Sequence, residues 1–371
     1  MALTGTPQTT TPKPTVEAQP QSQSVVTSQQ GQKQSDTGPQ DLWEAIRTII
    51  GLQNQAPPLV PVARDQPLAL SFTQERLWFL YQLNANNTAY NIPFAFHLQG
   101  HLDIAALEQS FQALLQRHEA LRTTFASPAE QPVQAIAPTA QTWALNHLDW
   151  QGLPAAEQES QIQQQILQET QQPFDLTQGP LLRATLLHLS DRDHILLISV
   201  HHIVFDGWSE GILWRELAAL YEAFATQQAS PLPDLPIQYG DFAHWQRQWL
   251  QGDFLDALLK YWRNQLGHGL QALQLPTDHP RPTVQTRRSA TQKLALSESL
   301  TKSLKTLSRQ TGATLFATLL AAFKVLLQRY TDQTDLCVCS PIANRNRKEL
   351  RGLIGYFVNL LILRTDLAGN P

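Results

Sequence analysis

Two apolar runs set end to end constrain this chain more than any other feature. Leu181 to Leu189 and His194 to Phe205 each have strand length, and they join at Asp191-Arg192-Asp193, a loop short enough to predict a hairpin. The second run is almost continuously apolar, as a strand covered on both faces must be. Directly after it, Asp206-Gly207 opens a helix to about Phe224, with Ile212, Leu213, Leu217, Leu220 and Tyr221 on its inward side. A buried hairpin that feeds a helix calls for a layered fold mixing helices and strands.

The flanking sequence agrees with an α+β chain rather than a regular βαβ repeat. Ser71 can cap a helix to Leu83, Ile92 to Leu98 alternates as a strand, and a further strand lies near Thr123. Asp103 caps a helix whose Ile104, Leu107, Phe111, Leu114, Leu115 and His118 share one face. Ser160 to Thr170 reads as a polar helix. Beyond Pro231, Pro233 and Pro236 a Trp-rich helix is predicted from about Tyr239 to Tyr261. Its Trp245 and Trp249, with Trp262 just beyond, read as packing rather than a ligand platform. After His279-Pro280-Arg281-Pro282 come a strand (Ser289 to Leu296), helices over Ser299 to Thr311 and Thr314 to Tyr330, and strands over Asp335 to Ile342 and Phe357 to Arg364. The second half repeats the first in outline and stops early, so a C-terminally truncated second lobe is expected.

Residues 1–40 are Gln, Ser, Thr, Pro and Gly with little to bury, and are expected to be a disordered polar leader. Residues 41–67 hold a short helix, Asp41 to Leu52, and a Pro-rich linker. No run approaches about 18 unbroken apolar residues and no apolar segment follows Met1, so neither a membrane span nor a secretory signal is expected. With 27 basic and 31 acidic residues the net charge is −4, which disfavours nucleic acid as a partner. The basic runs Arg287-Arg288 and Arg345 to Arg351 read first as solvated faces. Two cysteines, Cys337 and Cys339, cannot form a disulfide framework and fit a reducing, cytoplasmic setting.

Chemistry concentrates where the buried strand meets the helix, at His201-His202-Ile203-Val204-Phe205-Asp206-Gly207-Trp208-Ser209. Adjacent strand residues point to opposite faces, so one histidine supports the fold while the other can face a cleft and relay a proton. Asp206 can fix local geometry, and Gly207 allows close approach of a substrate or a turn with positive φ. Several readings compete. The pair could be satisfied core histidines beside an Asp cap. His201, His202 and Asp206 have metal-ligand chemistry, but side chains diverging from one strand make a poor donor set, and no metal is expected. Gly207-Trp208-Ser209-Glu210-Gly211 also has the G-x-S-x-G spacing of a hydrolase nucleophile elbow, with Asp241 and His244, His268 or His279 as partners. Ser209 as a helix cap explains the same residue.

Five segments in order resemble one family. His201 to Ser209 resembles the HHxxxDGxS motif of the condensation domains of nonribosomal peptide synthetases. Ser71 to Leu80, Arg117 to Phe125, Tyr239 to Trp245, and Ile354 to Asn359 with Leu363-Arg364 resemble its first, second, fourth and fifth motifs. The resemblance implies two chloramphenicol-acetyltransferase-like lobes in a V around a central tunnel, over 68–236 and 237–371, the second incomplete. It implies amide formation between a donor acyl or peptidyl thioester and an acceptor aminoacyl thioester. No cofactor would be bound directly, since phosphopantetheine arms come from upstream and downstream carrier domains, with an adenylation domain as neighbour. His202 and Gly207 would be catalytic. His201, Asp206, Ser209 and Arg345 would support the site, Asp206 and Arg345 as a pair. A thioesterase using Ser209 and an inactive carrier-docking module are the rival expectations.

Overall fold

The computed structural model describes residues 56–128, 131–138, 143–267, 269–280, 283 and 290–369. The expected leader, the 41–52 helix, His268 and Arg287-Arg288 lie outside them. The chain gathers into two compact units, one built from Pro61–His244 with Gly352–Tyr356, the other from Trp245–Arg351 with the residues after Tyr356. Sequence reading did not anticipate that residues 352–356 belong to the first unit.

The strands of the first unit are β1 (Leu68–Ala69), β2 (Asn91–Gln99), β3 (Thr123–Ala126), β4 (Val133–Ile136), β5 (Asn146–Asp149), β6 (Leu182–Ser190) and β7 (Asp193–His201). Its helices are α1 (Phe72–Leu83), α2 (Ile104–Arg117), α3 (Ala155–Gln171) and α4 (Gly207–Ala225). The main sheet has the order β2-β7-β6-β5, and a smaller one the order β1-β4-β3. β6 and β7 form the expected hairpin, paired from Leu182↔Val200 to Ser190↔Asp193, while β5 runs parallel to β6.

Side-chain alternation divides the work of β2 and β7 between two layers. Ile162 of α3 packs on Leu187 and Leu197, with Ala95 and Ile195 beside them. Phe94 and Phe96, which belong to the opposite face, meet Trp214 of α4 at ring separations of 5.3 and 4.3 Å. A strand covered on both faces is apolar along most of its length, and Leu196, Leu197, Ile198 and Val200 are all buried. Burying each such side chain contributes about 1.5–3 kcal/mol. The caps are those the sequence offers. Ser71 accepts from Gln74 N at 3.2 Å while Gln74 Oε1 accepts from Ser71 N at 3.1 Å, and Asp103 accepts from Ala106 N at 3.0 Å.

Helix α5 (Tyr239–Trp249) is separate from α6 (Gly252–Leu266). The single helix expected over Tyr239 to Tyr261 is broken because Gly252 takes a left-handed φ of 57°. The second unit continues with α7 (Glu298–Gln310), α8 (Leu315–Thr331), β8 (Asp335–Ile342) and β9 (Asn359–Asp366). β8 and β9 pair antiparallel, and Arg364 makes a two-pronged bond to Asp335, at 2.8 Å from Nε and 2.6 Å from Nη2. The Lys324 ammonium, on the buried side of α8, donates to Leu363 O at 2.9 Å and to the Thr365 hydroxyl. Trp245 and Trp249 pack ring on ring at 4.8 Å, as expected of packing residues. Cys337 and Cys339 are free thiols.

The strand expected at Ser289 to Leu296 does not form over residues 290–296. A strand needs a neighbour for its ladder, none pairs with this segment among the described residues, and Leu294 stands 87% exposed. Among the described residues no single helix is long and apolar enough to cross a membrane.

Candidate active site

Strand β7 ends at His201, four residues before the apolar run does. Residues His202–Val204 form a 3₁₀ turn whose Ile203 and Val204 stay buried, so apolarity continues after the strand has stopped. The two histidines therefore part company at a strand end rather than by alternation along a strand. Buried His201 sits near Tyr90 and Phe174, with ring separations of 6.3 and 5.9 Å. His202 is half-buried.

Backbone hydrogen bonds fix opposite tautomers on the neighbours. Ile203 N–H donates to His201 Nδ1 at 3.1 Å, so that nitrogen carries a lone pair and the proton of the neutral ring sits on Nε2. His202 Nδ1 lies 2.7 Å from Phe205 O, a group that only accepts, so Nδ1 carries a proton and the lone pair of the neutral ring sits on Nε2. Burial first, and then His202 and Arg183, push His201 down to about 3, so it stays neutral across the working range. Both Nδ1 atoms are thus engaged by the backbone, and among the described residues no three His, Cys, Asp or Glu side chains gather as a metal site would need.

Asp206 caps α4. Its buried carboxylate accepts from Ser209 N at 2.9 Å and from Ser209 Oγ at 2.7 Å. Ser209 Oγ also accepts from Gly355 N at 3.1 Å and lies 3.0 Å from Gly355 O. One hydroxyl proton cannot serve two acceptors, and the carboxylate is closer and charged, so the proton goes there. This fully buried serine is a clamp between the helix cap and the 352–356 segment rather than an exposed nucleophile. Asp241, offered as its hydrolase partner, instead accepts from Val62 N, Gln238 N and Arg64 at 2.9, 2.7 and 2.7 Å. Ser209→Ala is expected to lower stability by about 1–3 kcal/mol, because it strands the buried Gly355 amide and removes one of the hydrogen bonds to the Asp206 carboxylate. An unchanged midpoint of urea unfolding would contradict the clamp.

Gly207 opens α4 without a positive φ, so the turn expectation does not hold. A Cβ built there meets no atom within 4 Å. Arg345 lies in the second unit, buried, where it donates to Leu350 O at 2.7 Å and its guanidinium stands 4.0 Å over the Phe357 ring. His244 is half-buried on α5 and His279 is exposed.

Residues from each of the segments singled out in the sequence meet in the first unit. Gln74 Nε2 donates to Ile203 O at 3.2 Å. His118, at the end of α2, bonds Glu216 of α4 at 2.7 Å through Nε2 and accepts from Ile354 N at 3.3 Å through Nδ1. Tyr239 and Thr73 hydroxyls both donate to Tyr356 O, at 2.6 and 3.1 Å. Sequence reasoning quoted these residues as motif members and gave them no task. The one it missed altogether as a site residue is Tyr356, whose ring meets the His202 imidazole at 4.8 Å in a T-shaped arrangement.

Comparison with known proteins agrees with this convergence. A family model described as Condensation domain matches residues 64–371. A linear gramicidin synthase polypeptide of Brevibacillus parabrevis is 51% identical over 316 residues, covering 85% of this chain and 6% of the relative. Chondramide synthase cmdD of Chondromyces crocatus is 46% identical over 326 residues, covering 88% and 8%. The chain therefore spans a small fraction of the curated relatives it matches. Among solved structures, the X-domain from teicoplanin biosynthesis superposes with a TM-score of 0.76 at 30% identity, over 85% of this chain and 69% of that one. A four-domain nonribosomal peptide synthetase bound to AMP and glycine superposes at 0.69 and 26% identity, over 84% and 23%. The α+β expectation holds.

Proposed function

The chain belongs to the condensation-domain family, and from that premise we propose that it joins a donor acyl or peptidyl thioester to the α-amine of an acceptor aminoacyl thioester. The observation that carries this reading is His202. Its Nδ1–H is held on Phe205 O, which leaves the lone pair of the neutral ring on Nε2. The acceptor nitrogen attacks the donor carbonyl carbon, and the carbon–sulfur bond of the tetrahedral adduct breaks. The nitrogen loses a proton to His202 Nε2, which returns it to the departing thiolate. The products are an amide on the acceptor and a free thiol on the donor.

Magnitudes set the role of the imidazole. A free α-amine has a pKa of about 7.7–8.0, so roughly a tenth to a fifth is neutral at pH 7, a cost of about 1 kcal/mol. Orienting two tethered reactants is worth about 7–11 kcal/mol. His202 thus acts mainly by placing the amine and relaying its proton. Gly207 leaves room for the acceptor, and its amide is a candidate donor to the developing oxyanion. His201, Asp206, Ser209 and Arg345 are supports.

Relatives in which this chain matches 6% and 8% of the length fit a working place inside larger assemblies. Donor and acceptor carrier domains bearing phosphopantetheine thioesters are the proposed partners, with an adenylation domain nearby and the cytoplasm as the setting. No directly bound cofactor enters the proposal.

The test uses one donor-loaded and one acceptor-loaded carrier domain, followed by intact-mass spectrometry over a panel of aminoacyl groups. The acceptor should gain the donor mass while the donor carrier returns to its free thiol. Release of donor acid without that gain would indicate a thioesterase. Carrier binding with neither product would indicate a docking module. Gly207→Leu should fill the open space at a cost of about 1–3 kcal/mol to acceptor binding, about 5- to 150-fold in kcat/KM for the acceptor. Gly207→Ala should stay near wild type. Full turnover by Gly207→Leu would remove this role.

A further inference from the structure

A histidine that relays a proton needs its ring fixed in two directions, and one hydrogen bond at Nδ1 fixes only one. The second contact on the His202 ring is Tyr356, which the family motif resemblance does not assign any task. Tyr356 is itself tied down from several sides. Arg76 Nη2 donates to its hydroxyl at 3.0 Å. Its carbonyl takes the Tyr239 and Thr73 hydroxyls. The amide before it is held on Ser209 Oγ, and the amide before that on His118 Nδ1. The residue is 4% exposed, its backbone is held by this set, and its ring is held by burial and by the Arg76 bond to the hydroxyl.

We infer that Tyr356 is a positioning residue that holds the His202 imidazole in the single orientation where Nδ1 bonds Phe205 O and Nε2 keeps its lone pair. The inference rests on the amide-forming reading for its kinetic consequence, but not for its structural one. Tyr356 acts through His202 and has no bond to make or break. The backbone that carries the ring is anchored from α1, from the end of α2, from the start of α4 and from Tyr239, and the ring itself from Arg76 of α1.

The experiment reads the tautomer directly. The chain is labelled with ¹⁵N-histidine and the His202 resonances are assigned by their loss in His202→Ala. Wild type should show one tautomer, protonated at Nδ1. Tyr356→Phe keeps the ring but releases it from Arg76, so it should shift the tautomer ratio by less than Tyr356→Leu and keep kcat within about threefold. Tyr356→Leu should mix the tautomers and lower kcat by about 2- to 12-fold, the range expected for one aromatic pair, at unchanged KM for the acceptor. If Tyr356→Leu does not fold, Arg76→Gln decides, because it frees the phenol from an exposed partner without opening a cavity. It should shift the tautomer ratio in the same direction by a smaller amount.

A pure Nδ1–H spectrum and wild-type kcat in Tyr356→Leu, or in Arg76→Gln where that variant decides, would overturn the inference. So would a higher KM at unchanged kcat, which would make Tyr356 a substrate contact. Wild-type chain that forms no amide while the tautomer shifts still appear would refute the proposed reaction and leave the positioning role standing.

Discussion

His202→Ala is expected to slow amide formation by about 10²- to 10⁴-fold, the usual contribution of a positioned proton carrier. The loss should depend on the acceptor. Generating a neutral amine costs about 1 kcal/mol, so a good nucleophile needs His202 mainly for orientation. A poorly nucleophilic amine attacks slowly and reversibly, and its adduct collapses forward only once the nitrogen has shed its proton. Weak acceptors should therefore suffer most. Rates are compared for wild type and His202→Ala across acceptors of graded amine pKa. An equal loss for every acceptor would contradict the relay.

Acid should destabilise the fold through the neighbouring histidine. Buried His201 titrates at about 3 in the folded chain and near 6.5 when unfolded. Between those values the unfolded chain binds the extra proton, so stability is full above about pH 6.5 and falls as pH drops towards 3. The slope is about 1.4 kcal/mol per pH unit, or about 2 kcal/mol lost by pH 5. His194 adds to the same window, since burial, and then the ring of His188, also lowers it. The carboxylates lowered in the fold, such as Glu216, add their losses only below the ordinary carboxylate range. His201→Gln preserves an acceptor for Ile203 N–H and removes the titration. Its urea midpoint should change less between pH 7.5 and 5 than that of wild type. Parallel losses would show that His201 does not carry the effect.

The first unit was more legible than the second, for physical reasons. Local signals named the β6–β7 hairpin, the caps at Ser71, Asp103 and Asp206, and the His201–Ser209 cluster, because each depends on neighbours in sequence. Periodicity overran wherever burial continued past a break in geometry. It carried the strand through the 3₁₀ turn at His202–Val204 and the Trp-rich helix through Gly252. Strands of four residues, such as β4 and β5, are too short for any period to register. The segment 290–296 alternates like a strand, but a strand is decided by its partner.

The site divides in the same way. Which nitrogen of each neutral ring holds the proton and why Ser209 is a clamp follow from backbone groups a few residues away or from Gly355 far along the chain. The G-x-S-x-G spacing was real, but burial and bonding partners gave Ser209 another task. Tyr356 carried no signal beyond membership of a motif, because its importance lies in a tertiary contact with His202.

The most direct test is a single-turnover transfer between loaded carrier domains, read by intact mass for wild type, His202→Ala and Ser209→Ala, with all three verified as folded at the assay temperature. The account predicts a mass gain on the acceptor that is lost in His202→Ala and retained in Ser209→Ala. Transfer that survives in His202→Ala, or donor hydrolysis that disappears only in Ser209→Ala, would contradict it.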